Sequence, residues 1–574
     1  MVKDIFSLKI GGQAGQGVKS AGQMLAKLAT RSGYFVFTYT EFPSLIRGGH
    51  NVTQVIIGEN EIDFFSKKVD FLVALNQETI DRHLNEVSDN GLVIFDSDKK
   101  ISFEGEGKSL NFSPLPLSRF AVEAGNRELL GNMVAIGGVA AFLDGDLEVL
   151  KNLIEGEFKD KSEEVIVANK KAAVLGYEFV KKEYGRLVKK VLTYKKIPEK
   201  KMLISGSDAL ALGAIAGGLQ FAAIYPMSPI SNILHVLAKY QEKLGFVYKQ
   251  PEDEISAIGM AIGAGFAGAR SMTATSGGGF CLMTEGFGLA GMTETPLVIV
   301  EGMRPGPATG LPTWSAQGDL KFVLNAHQGS FPRIVLSAGD IKEAFFMTMK
   351  AFNLAEKYQT PVVLLVDKNI CDGDASYPFF DISGYKIERG KIKGSSGDEE
   401  IYSRYTLNSD GISERTFPGG GVFFIANSDE HDQEGFSSEE SEVVVKMQEK
   451  RMKKLEVCQK EDMEDPKLYG SEEADLTIVS WGSNKGSIIE AIEGFSNVNF
   501  LYLNWMNPFP ASRVREILAK SKYIVDVECN YEGQLADLIA EKTGILISDR
   551  FLKYDGRPFF VEEIIEKINQ VLKR

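Results

Sequence analysis

The sequence predicts a multidomain protein of the α/β class, and three observations support that prediction. At 574 residues the chain is too long for one hydrophobic core and predicts three to four domains. Apolar runs of strand length occur in three separate regions. Most of these runs lead into glycine-containing turns and segments with helical spacing, the order of elements that builds α/β units.

Composition and charge narrow the classes of function. The hydrophobic share of 44% and the charged share of 25% are ordinary for a soluble globular protein. A net charge of −14 argues against nucleic acid or an anionic membrane as the main partner. Residues 1–6 lack the apolar core of a signal peptide, and no apolar run is long enough to span a bilayer. We therefore expect a cytoplasmic protein.

The cysteines and histidines predict no metal site in this chain. The four cysteines lie far apart, so neither a disulfide framework nor a Cys-x-x-Cys cluster motif is present, and any iron–sulfur cluster must belong to another chain. The five histidines form no local ligand motif, and isolated surface or packing roles are favoured for them. They are His50, His83, His235, His327 and His431.

The amino-terminal region, residues 5–186, predicts one α/β unit. Residues 5–10 are predicted as a strand, residues 11–17 as a glycine loop and residues 21–29 as a helix. This order of elements is typical of loops that bind phosphate groups, but the match to the dinucleotide-binding motif is imperfect. A tight strand-to-helix turn is therefore favoured over a cofactor site. A second glycine turn, residues 47–51, suits either an anion or a subunit contact.

A lysine-rich stretch, residues 189–201, is predicted to be a solvated linker. A second α/β domain follows, with a helix of small residues at 258–268. Its strands are predicted at residues 221–224, 271–275, 297–300, 333–336 and 362–366.

The carboxyl-terminal part begins with a loop-rich region from about residue 381 to 466. This region contains a charged helix at residues 439–460, which we interpret as a solvent-exposed brace. A last α/β unit then has strands predicted at residues 476–483, 498–503 and 523–527.

The run Tyr225-Pro226-Met227-Ser228-Pro229 is the most informative local feature. Its two prolines forbid a regular helix or a central strand, so a strand should end in a rigid turn that aims Ser228 outward. Ser231 and Asn232 are predicted to cap the helix that follows. Ligands bind at such strand ends in open α/β sheets, although an isolated turn of this kind is more often structural.

Three further motifs follow in order within one domain's length. They are an acidic helix start that ends at Glu254, a hydroxyl- and glycine-rich loop at residues 275–280, and a proline- and glycine-rich segment that runs from Arg304 to Thr313.

Together these motifs resemble the alpha subunit of 2-oxoacid:ferredoxin oxidoreductases. The amino-terminal unit resembles that family's gamma domain, here fused ahead of alpha. The fused gamma-alpha pattern is also matched at residues 402–405, 410–412, 429–432 and 555–559. The resemblance covers nearly the whole chain.

The resemblance implies an organisation and a reaction. It implies a gamma domain (1–188), a linker (189–201), a pyrimidine-binding α/β domain (202–380), a connecting region (381–466) and a transketolase-like carboxyl-terminal α/β domain (467–574). The family decarboxylates a 2-oxoacid on thiamine diphosphate, reduces ferredoxin through an iron–sulfur cluster and releases an acyl-coenzyme A.

The resemblance also implies partners and cofactors. This chain supplies the pyrimidine side of the thiamine site, whereas a beta subunit holds the diphosphate, Mg²⁺ and a [4Fe-4S] cluster. A heterodimer or a dimer of heterodimers is expected.

The resemblance assigns roles to residues. Glu254 matches the carboxylate that hydrogen-bonds the thiamine aminopyrimidine, and Arg304 matches the arginine that grips the substrate carboxylate. Ser228 stands where the family often has threonine, with its hydroxyl available to substrate or cofactor. Without the resemblance, the acids at residues 252–254 would be read as complements of a helix dipole.

Further residues complete the expected site. Tyr225, Pro226, Ser276 and Gly277 are expected to border the cofactor. Thr309 and Thr313 match positions that read the distal part of the substrate, but they could equally be capping hydroxyls. In the last unit, Glu528, Asn530, Gly533 and Gln534 match the family and are favoured as structural or interfacial.

Three functional alternatives remain at this point. The favoured hypothesis is a subunit that acts on 2-oxoglutarate or a range of 2-oxoacids. A pyruvate-type member of the same family differs only in the pocket beyond Arg304. A non-catalytic assembly protein would bind a nucleotide or coenzyme A at residues 11–17 and would not need thiamine diphosphate.

Overall fold

The computed structural model describes residues 5–45, 48–103, 109–125, 128–192, 200–393 and 402–574. Arg47 of the second predicted glycine turn and residues 193–199 of the predicted linker lie outside these ranges. The chain divides into two compact units. Unit 1 comprises residues 1–205, 372–381 and 560–562, and unit 2 comprises residues 206–371, 382–559 and 563–574.

The strands are numbered along the chain. They are β1 (Phe6–Gln13), β2 (Phe35–Glu41), β3 (His50–Gly58), β4 (Val69–Ala74), β5 (Val87–Asp96), β6 (Asn111–Leu115), β7 (Lys201–Ser205), β8 (Phe221–Ala223), β9 (Val247–Lys249), β10 (Ser271–Thr275), β11 (Leu297–Met303), β12 (Ile334–Ser337), β13 (Pro361–Asp367), β14 (Asp374–Pro378), β15 (Lys467–Gly470), β16 (Leu476–Trp481), β17 (Val498–Leu503), β18 (Trp505–Asn507), β19 (Tyr523–Glu528) and β20 (Asp549–Leu552).

The α-helices are numbered in the same way. They are α1 (Val18–Arg31), α2 (Gln77–His83), α3 (Leu117–Gly125), α4 (Gly131–Phe142), α5 (Leu147–Glu157), α6 (Glu163–Glu183), α7 (Gly206–Ala216), α8 (Ser231–Leu244), α9 (Glu254–Phe266), α10 (Gly277–Met292), α11 (Leu320–Asn325), α12 (Ile341–Tyr358), α13 (Lys368–Asp372), α14 (Ser441–Glu461), α15 (Asn484–Ile492), α16 (Ala511–Leu518), α17 (Gln534–Thr543) and α18 (Val561–Leu572).

Unit 1 is built on an eight-stranded mixed sheet in the order β6-β5-β4-β1-β3-β2-β14-β7. Strands β6, β5, β4 and β1 are parallel, whereas each pairing from β1 through β3, β2 and β14 to β7 is antiparallel. The apolar faces of α1, α4 and α6 pack into the core of this unit. The predicted order of strand, turn and helix at the amino terminus is confirmed.

The turn between β1 and α1 is shorter than the sequence suggested. Gly11 and Gly12 belong to β1, and the turn contains Gly15 and Gly17 at φ values of 94° and 73°. The prediction of a loop over residues 11–17 was therefore wrong at its start. The two glycines in β1 serve close packing, because a Cβ at Gly11 would lie 2.6 Å from Thr79 Cγ2.

His50 and His83 are not isolated, contrary to the sequence interpretation. His50 Nε2 lies 2.9 Å from His83 Nε2, and His83 Nδ1 lies 3.1 Å from Glu86 Oε2. Burial, reinforced by the neighbouring His83, lowers the pKa of His50 to about 4. The residues are 33 positions apart, so no local motif revealed the contact.

Unit 2 contains a seven-stranded sheet in the order β18-β12-β13-β11-β10-β8-β9, in which β18 is the antiparallel member. Helices pack against both faces of this sheet and form a separate apolar cluster on each. Residues of α7, α8 and α12 cover one face, and residues of α9 and α10 contribute to the apolar cluster on the other. This arrangement gives alternate residues of β11 to opposite faces. The strand predictions for this sheet are confirmed to within a few residues.

A five-stranded sheet in the order β15-β17-β16-β19-β20 completes unit 2. All its pairings are parallel except β15 with β17. The α/β fold class is confirmed by these sheets. Among the described residues, no helix has both the length and the apolar character needed to cross a bilayer.

The charged helix α14 is not a solvent-exposed brace along its whole surface. Lys450 and Lys454 are fully buried and contact the two carboxylate oxygens of Glu294 at 2.5 and 2.6 Å. These lysines lie four residues apart and therefore share one helix face. The prediction was wrong for this face, since charge content alone cannot reveal a buried counterion distant in sequence.

Candidate active site

The candidate site lies at the carboxyl ends of β8, β10 and β11, which are parallel and adjacent in unit 2. The turn after β8, the start of α10 and the segment after β11 therefore meet at one edge of the sheet. Ligands of open α/β sheets bind at such an edge.

The turn after β8 is held on both sides. Ile224 N donates to Lys249 O at 3.0 Å, and Pro229 is buried close to Gly302 of β11. Ser228 is exposed, as its predicted outward direction requires, and its backbone carbonyl accepts a hydrogen bond from Arg304 Nη1 at 2.9 Å. Tyr225 is half-buried and Pro226 is exposed on the same turn.

The predicted helix cap after this turn was wrong. Helix α8 begins at Ser231 itself, and the capping position is Ile230, which makes no side-chain cap. The hydroxyl and amide of residues 231 and 232 suggested a cap, but the chain turns helical one residue earlier.

Glu254 begins α9 and is almost completely buried, with 3% of its surface exposed. Asp253 caps the helix by accepting a hydrogen bond from Ser256 N at 2.8 Å. Glu254 is therefore not needed as the cap, and its Oε1 is buried without a hydrogen-bond partner among the residues that the structure describes. A buried carboxyl oxygen without a partner is costly unless a ligand supplies one.

The segment predicted as a loop at residues 275–280 is the end of β10 followed by the first turn of α10. Helix α10 begins at Gly277, and Ser276 occupies its capping position. The Ser276 hydroxyl is buried and has no hydrogen-bond partner in the described part of the chain. Gly279 lies against Glu254, because a Cβ there would be 2.6 Å from Glu254 Oε1 and 2.1 Å from Thr275 Oγ1. The missing Cβ of Gly279 allows α10 to approach α9 and Thr275 this closely.

Arg304 follows β11 and is half-buried. In the part of the chain that the structure describes, its guanidinium forms no ion pair with a carboxylate, and its hydrogen bond is to the Ser228 carbonyl. Burial lowers the pKa of Arg304, and the negative charges of Asp319 and Glu301 oppose that effect. The guanidinium is a cation with donors free for an anionic ligand.

The two threonines after Arg304 differ in setting. Thr309 is exposed on a tight turn closed by Leu311 N donating to Pro305 O at 3.0 Å. Thr313 is buried, and its hydroxyl has no hydrogen-bond partner within the described ranges. The loop passes the start of α10, since a Cβ at Gly278 would be 3.8 Å from Ala308 O.

Gln317, at the end of the segment that follows Arg304, forms hydrogen bonds to the five-stranded sheet and the residue after its strand β19. Its side chain donates to Trp481 O at 2.7 Å and accepts from Cys529 N at 2.8 Å. A cavity of about 570 Å³ lies alongside the segment, between residues such as Pro305 and Asn530. The loop that carries Arg304 is thus anchored at its far end.

Glu528 and Asn530 form hydrogen bonds with residues of this chain, which agrees with the structural role favoured for them from the sequence. Glu528 accepts hydrogen bonds from Trp481 Nε1 at 2.9 Å and Asn530 Nδ2 at 2.7 Å. Gln534 donates to Gly318 O at 2.8 Å, and Gly533 has a φ of 69° before α17.

Two acids at this edge were missed by sequence reasoning. Glu301 is fully buried near the end of β11, and Asp319 lies against Gly277, where a Cβ would be 2.8 Å from Asp319 Oδ2. The predicted strand stopped at Val300, one residue short of Glu301. A carboxyl directly following four apolar strand residues was the signal that could have found it.

Family models match both parts of the chain. The model described as "Pyruvate ferredoxin/flavodoxin oxidoreductase" matches residues 7–179. The model described as "Pyruvate flavodoxin/ferredoxin oxidoreductase, thiamine diP-bdg" matches residues 212–450, which include the whole candidate site. The matches define a class, the ferredoxin- or flavodoxin-linked oxidoreductases with a thiamine diphosphate-binding region.

Relatives refine this class. The chain is 32% identical over 623 residues to the 2-oxoacid:ferredoxin oxidoreductase subunit alpha of Saccharolobus solfataricus, covering 99% of this chain and 98% of that one. It is also 32% identical over 374 residues to the 2-oxoglutarate synthase subunit KorA of Methanothermobacter thermautotrophicus, covering 64% of this chain and 98% of that one. The chain belongs to the 2-oxoacid:ferredoxin oxidoreductase alpha-subunit family.

A solved structure has the same fold throughout. It is the 2-oxoglutarate:ferredoxin oxidoreductase from Magnetococcus marinus with 2-oxoglutarate, coenzyme A and succinyl-CoA bound. The TM-score is 0.92 at 30% identity, with 99% of this chain and 100% of that chain covered. The resemblance inferred from the motifs is therefore confirmed, as is the assignment to an oxidoreductase family.

Proposed function

We propose that this chain is the gamma-alpha subunit of an enzyme that oxidatively decarboxylates a 2-oxoacid, with 2-oxoglutarate favoured. The products are an acyl-coenzyme A and CO₂, and the electrons pass to ferredoxin. One observation carries the proposal. At one sheet edge, a buried carboxyl oxygen of Glu254 has no hydrogen-bond partner among the described residues, and Arg304 forms no ion pair with any of them.

The residues at this edge fit the pyrimidine half of thiamine diphosphate. Among the described residues, Glu254 Oε1 and Ser276 Oγ are buried polar atoms without hydrogen-bond partners. Between Gly277 and Gly279, which pack against Asp319 and Glu254, Gly278 is open, since a Cβ there would have only Ala308 O within 4 Å. Thiamine diphosphate supplies an electron sink for the carbon from which CO₂ departs.

Glu254 is the proposed catalytic carboxyl. In this proposal its Oε1 would hydrogen-bond a ring nitrogen of the pyrimidine and would hold or accept the proton exchanged there. Asp253 performs the helix-capping role, so Glu254 is free for this task. Tyr225 and Pro226 border the cofactor in this proposal, and Gly277 and Ser276 form the opposite boundary.

Arg304 is the proposed anchor of the substrate carboxylate. Its planar guanidinium retains donors after its bond to the Ser228 carbonyl, and a carboxylate accepts two parallel hydrogen bonds from such a group. The Ser228 hydroxyl is proposed to contact the substrate or the cofactor. Thr309 and Thr313 are proposed to contact the distal part of the substrate. The buried Thr313 hydroxyl has no partner among the described residues.

The preference for 2-oxoglutarate is supported by two similar proteins. The Magnetococcus marinus enzyme is named for 2-oxoglutarate, and so is the synthase subunit of Methanothermobacter thermautotrophicus. Pyruvate remains the substrate of the alternative, because the family models carry that name. A panel of 2-oxoacids on the reconstituted enzyme distinguishes them by kcat/KM.

The proposed assembly includes a beta subunit that holds the diphosphate, Mg²⁺ and a [4Fe-4S] cluster, with ferredoxin as the electron acceptor. Coenzyme A is the second substrate. We propose that residues 1–188 form the gamma domain, 189–201 the linker, 202–380 the pyrimidine-binding domain, 381–466 the connecting region and 467–574 the last domain. A heterodimer, or a dimer of such heterodimers, in the cytoplasm is expected.

The test is to co-express the chain with a beta partner and follow dye reduction by 2-oxoacids. Reduction that requires both coenzyme A and thiamine diphosphate is expected, with 2-oxoglutarate the best substrate. A chain that binds a nucleotide or coenzyme A alone, and supports no turnover with any 2-oxoacid, would instead indicate the non-catalytic assembly protein.

A further inference from the structure

Glu301 is a carboxyl within an apolar layer of unit 2. It shares a face of β11 with Leu297 and Ile299, both fully buried in the cluster beneath α9 and α10. On the sheet its neighbours are Thr275 of β10 and Leu365 of β13. Neither neighbour carries a charge, so the sheet supplies no counterion for Glu301.

The side chain of Glu301 interacts directly with that of Asp319. Both oxygens of Glu301 and Oδ2 of Asp319 are buried and receive no hydrogen bond from any N–H or hydroxyl group of the described residues. Two ionised carboxylates without donors would be very costly in such a place. One proton shared between them joins the two acids by a hydrogen bond and leaves the pair with a single negative charge.

The electrostatics agree with a shared proton. Burial, and then the charge of Asp319, raises the pKa of Glu301 well above its usual value. Burial raises the pKa of Asp319 to about 6, although a hydrogen bond from Glu301 and the charge of Arg304 act to lower it. Glu301 is accordingly the acid that keeps the proton near neutral pH, and Asp319 is the acceptor.

The surroundings of the pair connect it to the candidate site. Asp319 contacts Gly277, where the positive end of the α10 dipole favours an anion. The titratable and charged groups that face the pair are Cys281 of α10 and Arg304 of the loop after β11. The nearby Lys321 is directed instead to Asp537, at 2.6 Å.

We propose that Glu301 and Asp319 are a positioning pair for Arg304, in which a single shared proton limits the negative charge behind the guanidinium. With that proton in place, Arg304 presents its free donors to the carboxylate of the 2-oxoacid. When the proton is lost, a second negative charge competes with the substrate for Arg304. This inference rests on the substrate-anchoring role proposed for Arg304.

The first experiment tests the shared proton on the isolated full-length chain. Infrared difference spectra across a pH titration should show the carbonyl band of protonated carboxylic acids near neutral pH. Glu301→Gln should remove one component of this band, while the component of Asp526, another buried acid with a raised pKa, remains. Glu541→Gln, an exposed glutamate on α17, is the matched control and should leave the band in place. A wild-type spectrum identical to that of Glu301→Gln would overturn the proposal.

The second experiment tests the consequence in the complex with a beta subunit. In the wild type, KM for the 2-oxoacid should rise on the order of tenfold as the pair loses its proton, the effect of a second unit charge near a partly buried site. In Glu301→Gln this rise should be absent, while the pH profile of kcat is kept. Asp319→Asn should also flatten the KM profile and replaces Glu301→Gln if that variant does not fold.

The outcomes separate this inference from the proposed function. Turnover with identical KM profiles in wild type and variants would overturn the positioning pair and leave the proposed reaction standing. Absence of turnover with every 2-oxoacid would refute the proposed reaction and, with it, the role toward substrate. The infrared band would still decide whether the two acids share a proton.

Discussion

Replacing Gly279 by alanine tests whether the start of α10 holds Glu254 in its position. The added Cβ would lie 2.6 Å from Glu254 Oε1, 2.8 Å from Glu254 Cγ and 2.1 Å from Thr275 Oγ1. Ordinary contacts of this kind are near 3.5 Å, so the Glu254 side chain must move by roughly an ångström. The change therefore displaces the proposed catalytic carboxyl without removing it.

The magnitudes for stability and turnover differ. Overpacking costs about 1–3 kcal/mol, and alanine in a helix regains about 1 kcal/mol over glycine. The free energy of unfolding should thus fall by no more than about 2 kcal/mol. A displacement of about 1 Å at a reacting group costs on the order of 100-fold in rate, so kcat should suffer far more than folding.

The assay compares kcat for dye reduction with the denaturant midpoint of the same preparation. Gly156→Ala is the matched control, because Gly156 is an exposed helical glycine of α5 with no atom within 4 Å of the added Cβ. That variant should keep kcat and gain a little stability. A Gly279→Ala enzyme with kcat within twofold of wild type would refute the contact-based account of Glu254.

Three further predictions follow. Arg304→Lys keeps the positive charge but loses the planar guanidinium that can donate two parallel hydrogen bonds. KM for the 2-oxoacid should therefore rise by about tenfold or more in initial-rate assays. An unchanged KM would argue against Arg304 as the anchor of the substrate. Glu294→Gln leaves Lys450 and Lys454 buried without a carboxylate. In denaturant titrations it should lower the free energy of unfolding by about 3–5 kcal/mol. A loss below about 1 kcal/mol would contradict a stabilising role for this buried network. The pKa of His50 is lowered to about 4 in the folded chain, so the unfolded chain binds more protons between that pH and 6.5. The free energy of unfolding should therefore fall as the pH drops through this window. If His50→Gln showed the same dependence of unfolding free energy on pH as wild type, this prediction would be wrong.

The sheets were predictable because each strand carries its own pattern. β10 and β17 were predicted at their observed bounds, since buried parallel strands are short apolar runs between turns. What the sequence did not reveal was the membership of β7 and β14 in the sheet of unit 1. Strands distant in sequence pair through tertiary contacts that leave no local trace.

The site was predictable where a motif spans consecutive residues. The turn at residues 225–229 and the helix start at Glu254 could be located because prolines and caps impose local geometry. The pairing of Glu301 with Asp319 could not, because the two acids lie 18 positions apart and either one alone has an ordinary structural explanation. The close approach at Gly279 also depends on a second helix, α9.

The central claim is that Glu254 carries a proton-handling role in decarboxylation, and one measurement tests it most directly. Release of CO₂ from a carboxyl-labelled 2-oxoacid isolates this step from electron transfer. With the beta subunit and thiamine diphosphate present, Glu254→Gln should fold as wild type and release CO₂ about 10²- to 10⁴-fold more slowly. Release at the wild-type rate by the folded variant would contradict the account.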